Sequence, residues 1–393
     1  MGVNAAPVAP RFSTPTHVTN TDVERGPWSR SLDLVLSADD LRTARAAIRE
    51  WQDHAPTPTR SLAGLAARSG VARIDYKDES VRFSLKSFKA LGGAYAVDRL
   101  LARLAVDPRE VTVTCATDGN HGRSVAWGAK RAGCRCVIYV HETVSEGRKA
   151  AIEAFGAEVR RTDGTYDDSV RRAAADADAR GWHVVSDTSY PGYTEVPRDV
   201  MAGYMVMADE ALDSVAVPST HIVVQGGVGG AAAAVLATSW LRYGEARPRF
   251  VVVEPDRAAC IAASLRAGKP TTIDGSLDTV MAGLACGEVS LLAWELLRRG
   301  CHDALIIDDE AAVAVMRDLA DPLAGDPPIV AGESATCGLA GVLAALERPA
   351  LARSLGLTPA SRVLVFGTEG DTDPDVYTQL VGRPASVVLE GCR

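Results

Sequence analysis

Only six of the 42 basic residues in this 393-residue chain are lysines, so chemistry that needs a lysine amine has few candidates. Lys89 stands in the most informative context, Ser87-Phe88-Lys89-Ala90-Leu91-Gly92-Gly93. A lysine at the start of a small-residue helix lies near the positive end of the helix dipole. That placement lowers its amine pKa and favours Schiff-base chemistry. Taken alone, the segment reads first as a solvated surface lysine, the usual fate of that residue. A second motif runs from HIVVQ through Gly226-Gly227-Val228-Gly229-Gly230 into an alanine-rich stretch. It reads as strand, glycine loop, helix, where backbone amides approach an anion closely. The loop admits three readings: a dinucleotide fingerprint with Glu254 as the ribose acid, a cup for one phosphate monoester, or a bare turn. Thr117-Asp118-Gly119-Asn120-His121-Gly122 repeats the geometry, with Asp118 and Asn120 as anion-site or capping side chains. After the strand RVLVF, Gly367-Thr368-Glu369-Gly370-Asp371 places a hydroxyl and carboxylates where open α/β sheets bind ligands. Gly332-Glu333-Ser334 is a similar small-residue strip at a helix start.

The elements that must position these residues alternate. Short apolar runs at 111–116, 135–140, 158–162, 183–185, 221–225, 249–254, 304–307 and 362–366 read as strands. Helical patterns fall between them, at 122–132, 146–155, 166–180, 231–243 and 309–319. Apolar runs without alternation belong to strands covered on both faces, so the expectation is an α/β fold with parallel sheets. Ser37 caps an amphipathic helix that ends near Trp51. Residues 1–30 carry four prolines and read as an extended arm. Apolar residues make up 47% and the formal charge is −8, so no basic surplus exists to hold nucleic acid. No segment is long and apolar enough for a membrane span, and no secretion signal is visible. The eight cysteines form no C-x-x-C and the histidines no H-x-x-x-H, so no metal site is expected. Cys260 and Cys286 could pair. Reduced thiols in a cytoplasmic protein are the default.

The combination says more than its parts. The lysine, the polar glycine turn, the glycine cup, the Glu-Ser strip and the strand-ending hydroxyl occur in an order that resembles the tryptophan-synthase-β-like (fold-type II) pyridoxal-phosphate enzymes. Within them the chain is most similar to the diaminopropionate ammonia-lyases. The resemblance rests on segments 88–93, 116–123, 187–197 (DTSYPGYTEVP), 227–229, 281–287 (MAGLACG), 332–334 and 368–373 (TEGDTD).

It implies two open, twisted, mostly parallel sheets flanked by helices, with pyridoxal 5'-phosphate in an interdomain cleft. A large domain would comprise 1–92 and 210–393, with a smaller inserted α/β domain at 93–209. Lys89 would form the Schiff base with the cofactor, and Gly226, Gly227, Val228, Gly229 and Gly230 would cradle its phosphate. Asn120 would bind the ring hydroxyl and Thr368 would face the pyridine nitrogen. Asp118, Gly119, Asn120, His121 and Ser334 would bind substrate. Lys89, Asp118 and Asp187 would be catalytic: Lys89 takes the Cα proton, and the two aspartates keep the leaving amine protonated. Asp118 would also serve as base towards the D-isomer. The implied reaction is α,β-elimination of 2,3-diaminopropionate to pyruvate and two ammonia. The alternative is a serine/threonine dehydratase or a β-replacement enzyme. A small amino-acid substrate, a homodimer and a cytoplasmic location complete the expectation.

Overall fold

The computed structural model describes residues 10–117, 119–164 and 166–390. Eleven strands are present among them: β1 (Thr16–Thr19), β2 (Thr59–Ser61), β3 (Arg73–Asp78), β4 (Thr112–Ala116), β5 (Arg135–His141), β6 (Glu158–Thr162), β7 (His183–Val184), β8 (His221–Gln225), β9 (Arg249–Pro255), β10 (Asp303–Ile307) and β11 (Arg362–Gly367). Seven form one sheet in the order β1-β10-β9-β8-β11-β3-β2. Four form a second in the order β6-β5-β4-β7. Every pairing is parallel except the two at the edges of the larger sheet, β1 with β10 and β2 with β3. The unbroken apolar runs are the reason: β8, β9 and β11 are buried along almost their whole length, as strands covered on both faces must be. No helix among the described residues is long and apolar enough to cross a membrane.

The amino-terminal arm departs from expectation. Thr16–Thr19 is a strand that extends the large sheet, and His17 bonds Asp303 at 2.8 Å. Its polar, four-residue sequence carries no apolar run. β3 was equally silent, because Arg73, Asp75, Lys77 and Asp78 make it look like a surface segment. Asp75, Lys77 and Asp78 are instead buried and compensated. Lys77 Nζ donates to Glu210 and to the Thr57 carbonyl, each at 2.8 Å. Arg82 donates to Glu79 at 2.8 Å and to Glu210 at 2.5 Å. Satisfied in this way, buried ions hold a segment in one conformation, whereas loss of one partner is strongly destabilising. The segment they hold carries left-handed backbone at Phe83 (φ 47°), Ser84 (φ 60°) and Lys86 (φ 57°), and it leads directly into Lys89. Side chains disfavour that region, so neighbouring contacts must over-determine it.

Six helices position the site: α1 (Lys89–Leu104), α2 (Asn120–Ala132), α3 (Glu195–Ser214), α4 (Gly230–Tyr243), α5 (Cys260–Ala267) and α6 (Cys337–Leu346). α1 and α3 approach so closely that a Cβ at Gly203 would overlap the Leu91 carbonyl oxygen. Backbone there cannot swing aside as a side chain can. Gly203→Ala is therefore expected to lower stability by about 2–3 kcal/mol, read as a lower urea midpoint with an unchanged denaturant slope.

Candidate active site

Lys89 is the first residue of α1, and its position is fixed from both sides. Ser87 Oγ accepts from the Lys89 amide at 3.3 Å. Phe88 N donates to Thr368 O at 3.1 Å and Gly370 N to Lys86 O at 2.9 Å, so residues 86–88 lie antiparallel against the end of β11. The Lys89 amine donates to Asp187 Oδ2 at 2.5 Å. It sits 5.6 Å from the Phe88 ring centroid and 5.9 Å from that of Tyr204. The lysine and aspartate side chains are 19% and 14% exposed, so the pair keeps an opening to solvent. Burial opposes the lysine charge, but the adjacent Asp187 carboxylate outweighs it and holds the amine above the ordinary lysine range. Burial likewise opposes the aspartate charge, and Lys89 outweighs it, so Asp187 stays ionised below its usual range. The sequence-based expectation of a lowered amine pKa is thus reversed: a carboxylate in direct contact dominates a helix dipole. The other lysines have other duties. Lys77 belongs to the buried cluster, Lys86 pairs with Asp371 at 2.8 Å and Lys149 with Glu153 at 3.0 Å.

Four strand ends converge on this amine. Asp187 follows β7, and the 117–122 turn follows β4. Gly226 follows β8, and Thr368 follows β11. All stand at the carboxyl ends of parallel strands, where α/β sheets place ligands. In the 117–122 turn, Thr117 Oγ1 accepts from Gly119 N and Gly122 N, each at 3.0 Å. Those two amides are spent within the turn; among the described residues, the first-turn amides of Asn120 and His121 have no acceptor and stand open to an anion. The Asn120 carboxamide donates to Glu369. His121 Nε2 donates to the Val185 carbonyl at 2.7 Å, and its Nδ1 lies 3.8 Å from Asp187 without a hydrogen bond. Burial lowers the His121 pKa, so the ring is neutral. Asp118 lies outside the described residues.

The glycine loop has the form an anion cup requires. Gly227 (φ 66°) and Gly229 (φ 89°) take left-handed backbone, and α4 begins at Gly230. Val228 O accepts from Ser290 N at 2.9 Å, and Gly227 O accepts from the Cys260 thiol at 3.5 Å. Cys260 and Cys286 are not joined by a disulfide. Glu254, the ribose acid of the dinucleotide reading, is occupied elsewhere. Its two oxygens accept from the Ile261 and Ala262 amides at 2.9 and 2.7 Å, capping α5. Burial, against those two bonds, pushes its carboxyl up to about 7.

Further side chains complete the site, and the sequence does not single out Gln225, Arg148 or Tyr204 among them. Gln225 Nε2 donates to Thr368 Oγ1 at 2.6 Å, so the threonine hydroxyl keeps its own proton to give. Glu369, buried, accepts from Asn120 and, at 3.2 Å, from Ser334 N. Ser334 Oγ in turn accepts from Gly283 N at 3.1 Å, tying the 281–287 segment to the site. Arg148 bonds Glu333 at 3.0 Å. Burial and the Glu369 charge, opposed by Arg148, push Glu333 up to about 7. Gln225 was visible as the polar end of an apolar strand, but nothing local signalled Arg148. Tyr204 was hidden in the apolar face of a long helix.

These donors fit pyridoxal phosphate: a half-buried primary amine, a loop of amides for a phosphate, and a hydroxyl free to donate to a ring nitrogen. Comparison with known proteins agrees. A family model described as "Pyridoxal-phosphate dependent enzyme" matches residues 51–368. The chain is 40% identical over 368 residues to the diaminopropionate ammonia-lyase of Escherichia coli (strain K12), covering 88% of this chain and 92% of that one. It is 38% identical to the Salmonella typhimurium (strain LT2) diaminopropionate ammonia-lyase, covering 86% and 91%. The crystal structure of the Escherichia coli enzyme in complex with an aminoacrylate-PLP azomethine reaction intermediate superposes with a TM-score of 0.87 at 38% identity, covering 94% of this chain and 97% of that one. A threonine deaminase from Solanum lycopersicum, 20% identical with a TM-score of 0.76, shares the fold. The chain belongs to the pyridoxal-phosphate-dependent enzymes of fold type II, and within them to the diaminopropionate ammonia-lyase family.

Proposed function

We propose that this protein catalyses the α,β-elimination of 2,3-diaminopropionate, with one water, to pyruvate and two ammonia. The observation that carries the reading is the Lys89–Asp187 pair, a reactive amine and a carboxylate in contact at the meeting point of four strand ends. Lys89 is the residue for the Schiff base. The amides of 226–230 would hold the phosphate, Thr368 the ring nitrogen and Asn120 the ring hydroxyl. When bound, the cofactor supplies the electron sink that makes an amino acid's Cα proton removable. A hydroxyl opposite the ring nitrogen, unlike a carboxylate, leaves that nitrogen largely unprotonated and disfavours transamination.

The chain's own residues then divide the work. The Asn120 and His121 amides, backed by Ser334, orient the substrate carboxylate. Lys89, as a neutral amine, takes the Cα proton. Asp187 meanwhile loses its cation. A buried carboxylate without a partner is costly, and the ammonium at the substrate's β-carbon is a cation of the same kind. Asp187 thus favours a protonated β-amine, the only form that leaves readily. A hydroxy amino acid offers no such charge. Asp118 is assigned to the same task and, towards the D-isomer, to proton removal from the opposite face.

The two sheets support a division into a large domain of 1–92 and 210–393 and a smaller domain of 93–209. The buried thiols of Cys115, Cys260, Cys301 and Cys337 fit a reducing cytoplasm. We place the enzyme there as a homodimer, as its family resemblance implies.

Purified holoprotein should release ammonia and pyruvate in a two-to-one ratio from 2,3-diaminopropionate, and far less keto acid from L-serine or L-threonine. Faster turnover of the hydroxy amino acids would overturn the assignment. Asp187→Asn is expected to lower kcat for diaminopropionate by about 100-fold or more, on the order of 3 kcal/mol of lost stabilisation. Asp118→Asn should abolish D-isomer turnover while sparing most L-isomer turnover. Equal losses for both isomers would eliminate the separate base.

A further inference from the structure

Tyr204 lies on α3 with its ring 4.6 Å from the Phe88 ring and 5.9 Å from Lys89 Nζ. It is 1% exposed, and among the described residues its hydroxyl has no well-formed hydrogen bond; the Lys89 amine is the group it approaches. Buried hydroxyls left unpaired are rare and costly, and one beside a reacting amine asks for an explanation. The backbone makes room for it, because a Cβ at Gly92 would overlap the tyrosine ring. The hydroxyl interacts electrostatically with both Lys89 and Asp187. Among the described residues, the other titratable groups felt at this amine or its aspartate are Cys286, His121, Cys115 and Tyr193, whose own hydroxyl donates to the Val184 carbonyl at 2.9 Å. Burial holds the Cys115 thiol and the Tyr204 phenol protonated.

The inventory of donors and acceptors exposes a mismatch. While they are paired, Lys89 is an ammonium, which only donates, and Asp187 a carboxylate, which only accepts. Neither needs the tyrosine proton while they hold each other. The balance changes once Lys89 becomes a neutral amine, the state in which it can take a proton. Its lone pair then calls for a donor, and a carboxylate has none to offer.

We propose that Tyr204 is a positioning residue for Lys89: its hydroxyl donates to the lone pair of the neutral amine, holding it in place and setting its basicity against the pull of Asp187. This assignment rests on Lys89 being the reacting amine, as proposed above. In the step it serves, the substrate Cα–H bond breaks and its electron pair stays on the substrate. The proton forms the third N–H bond on Nζ. Tyr204 keeps its own proton throughout, and the new ammonium returns to Asp187.

Tyr204→Phe in the holoenzyme tests this, since it keeps the ring and removes only the hydroxyl. Loss of a donor to the neutral amine raises the Lys89 pKa. The acidic limb of the kcat–pH profile should therefore move to higher pH by about one unit. At neutral pH kcat should fall by about tenfold, with KM, cofactor affinity by fluorescence titration and Tm essentially unchanged. Replacement by 3-fluorotyrosine, a more acidic and stronger donor, should move the limb the opposite way and decides the matter alone if the phenylalanine variant does not fold. A Tyr204→Phe profile superimposable on the wild type overturns the proposal. So does a pH-independent fall in kcat accompanied by weaker cofactor binding. Lys89→Ala separates the two levels: retained elimination there would mean that the underlying reading of Lys89 is wrong. An inactive Lys89→Ala with an unaltered Tyr204→Phe sinks only the tyrosine assignment.

Discussion

The ion pair between Lys89 and Asp187 is the contact on which the rest of the site depends. It joins the first residue of α1 to the loop after β7, and so joins the end of the strained 83–86 segment to the smaller sheet. A lysine amine in such a place would ordinarily lose its charge through burial. The carboxylate reverses that, and each group keeps the other ionised. The pair carries a built-in instability. Whatever draws the amine away leaves a partly buried carboxylate seeking a cation, and a diamino substrate brings one.

Much of the surrounding structure keeps this pair in register. The Lys77, Glu79, Arg82 and Glu210 cluster anchors the segment leading to Lys89 from below. Residues 86–88 pair with 368–370, which fixes the distance between the lysine and the Thr368 hydroxyl. Gly92 and Gly203 let α1 and α3 approach without intervening side chains. Glu369 holds the Asn120 carboxamide of the 117–122 turn, and Arg148 holds Glu333.

The sequence made the scaffold legible where burial is uniform. β8, β9 and β11 are unbroken apolar runs, and the glycine loop after β8 announced itself by composition alone. The Thr117 turn was equally visible, though not that its hydroxyl consumes two of its amides. Elements that carry charge into the interior were invisible. β3 looks like surface because its compensating partners, Thr57 and Glu210, are distant in sequence. β1 is too short and polar to stand out. Lys89 was found from its neighbours, but its protonation state depends on Asp187, 98 residues away. Tyr204 and Arg148 acquire meaning only from the fold, since nothing in their local sequence distinguishes a side chain that faces the site from one that does not.

The most direct test of this account is to reduce the yellow holoprotein with borohydride, digest it and locate the cofactor mass by mass spectrometry. The account predicts the label on the peptide that contains Lys89 and on no other. Label on Lys77 or Lys86, or none at all, would contradict it.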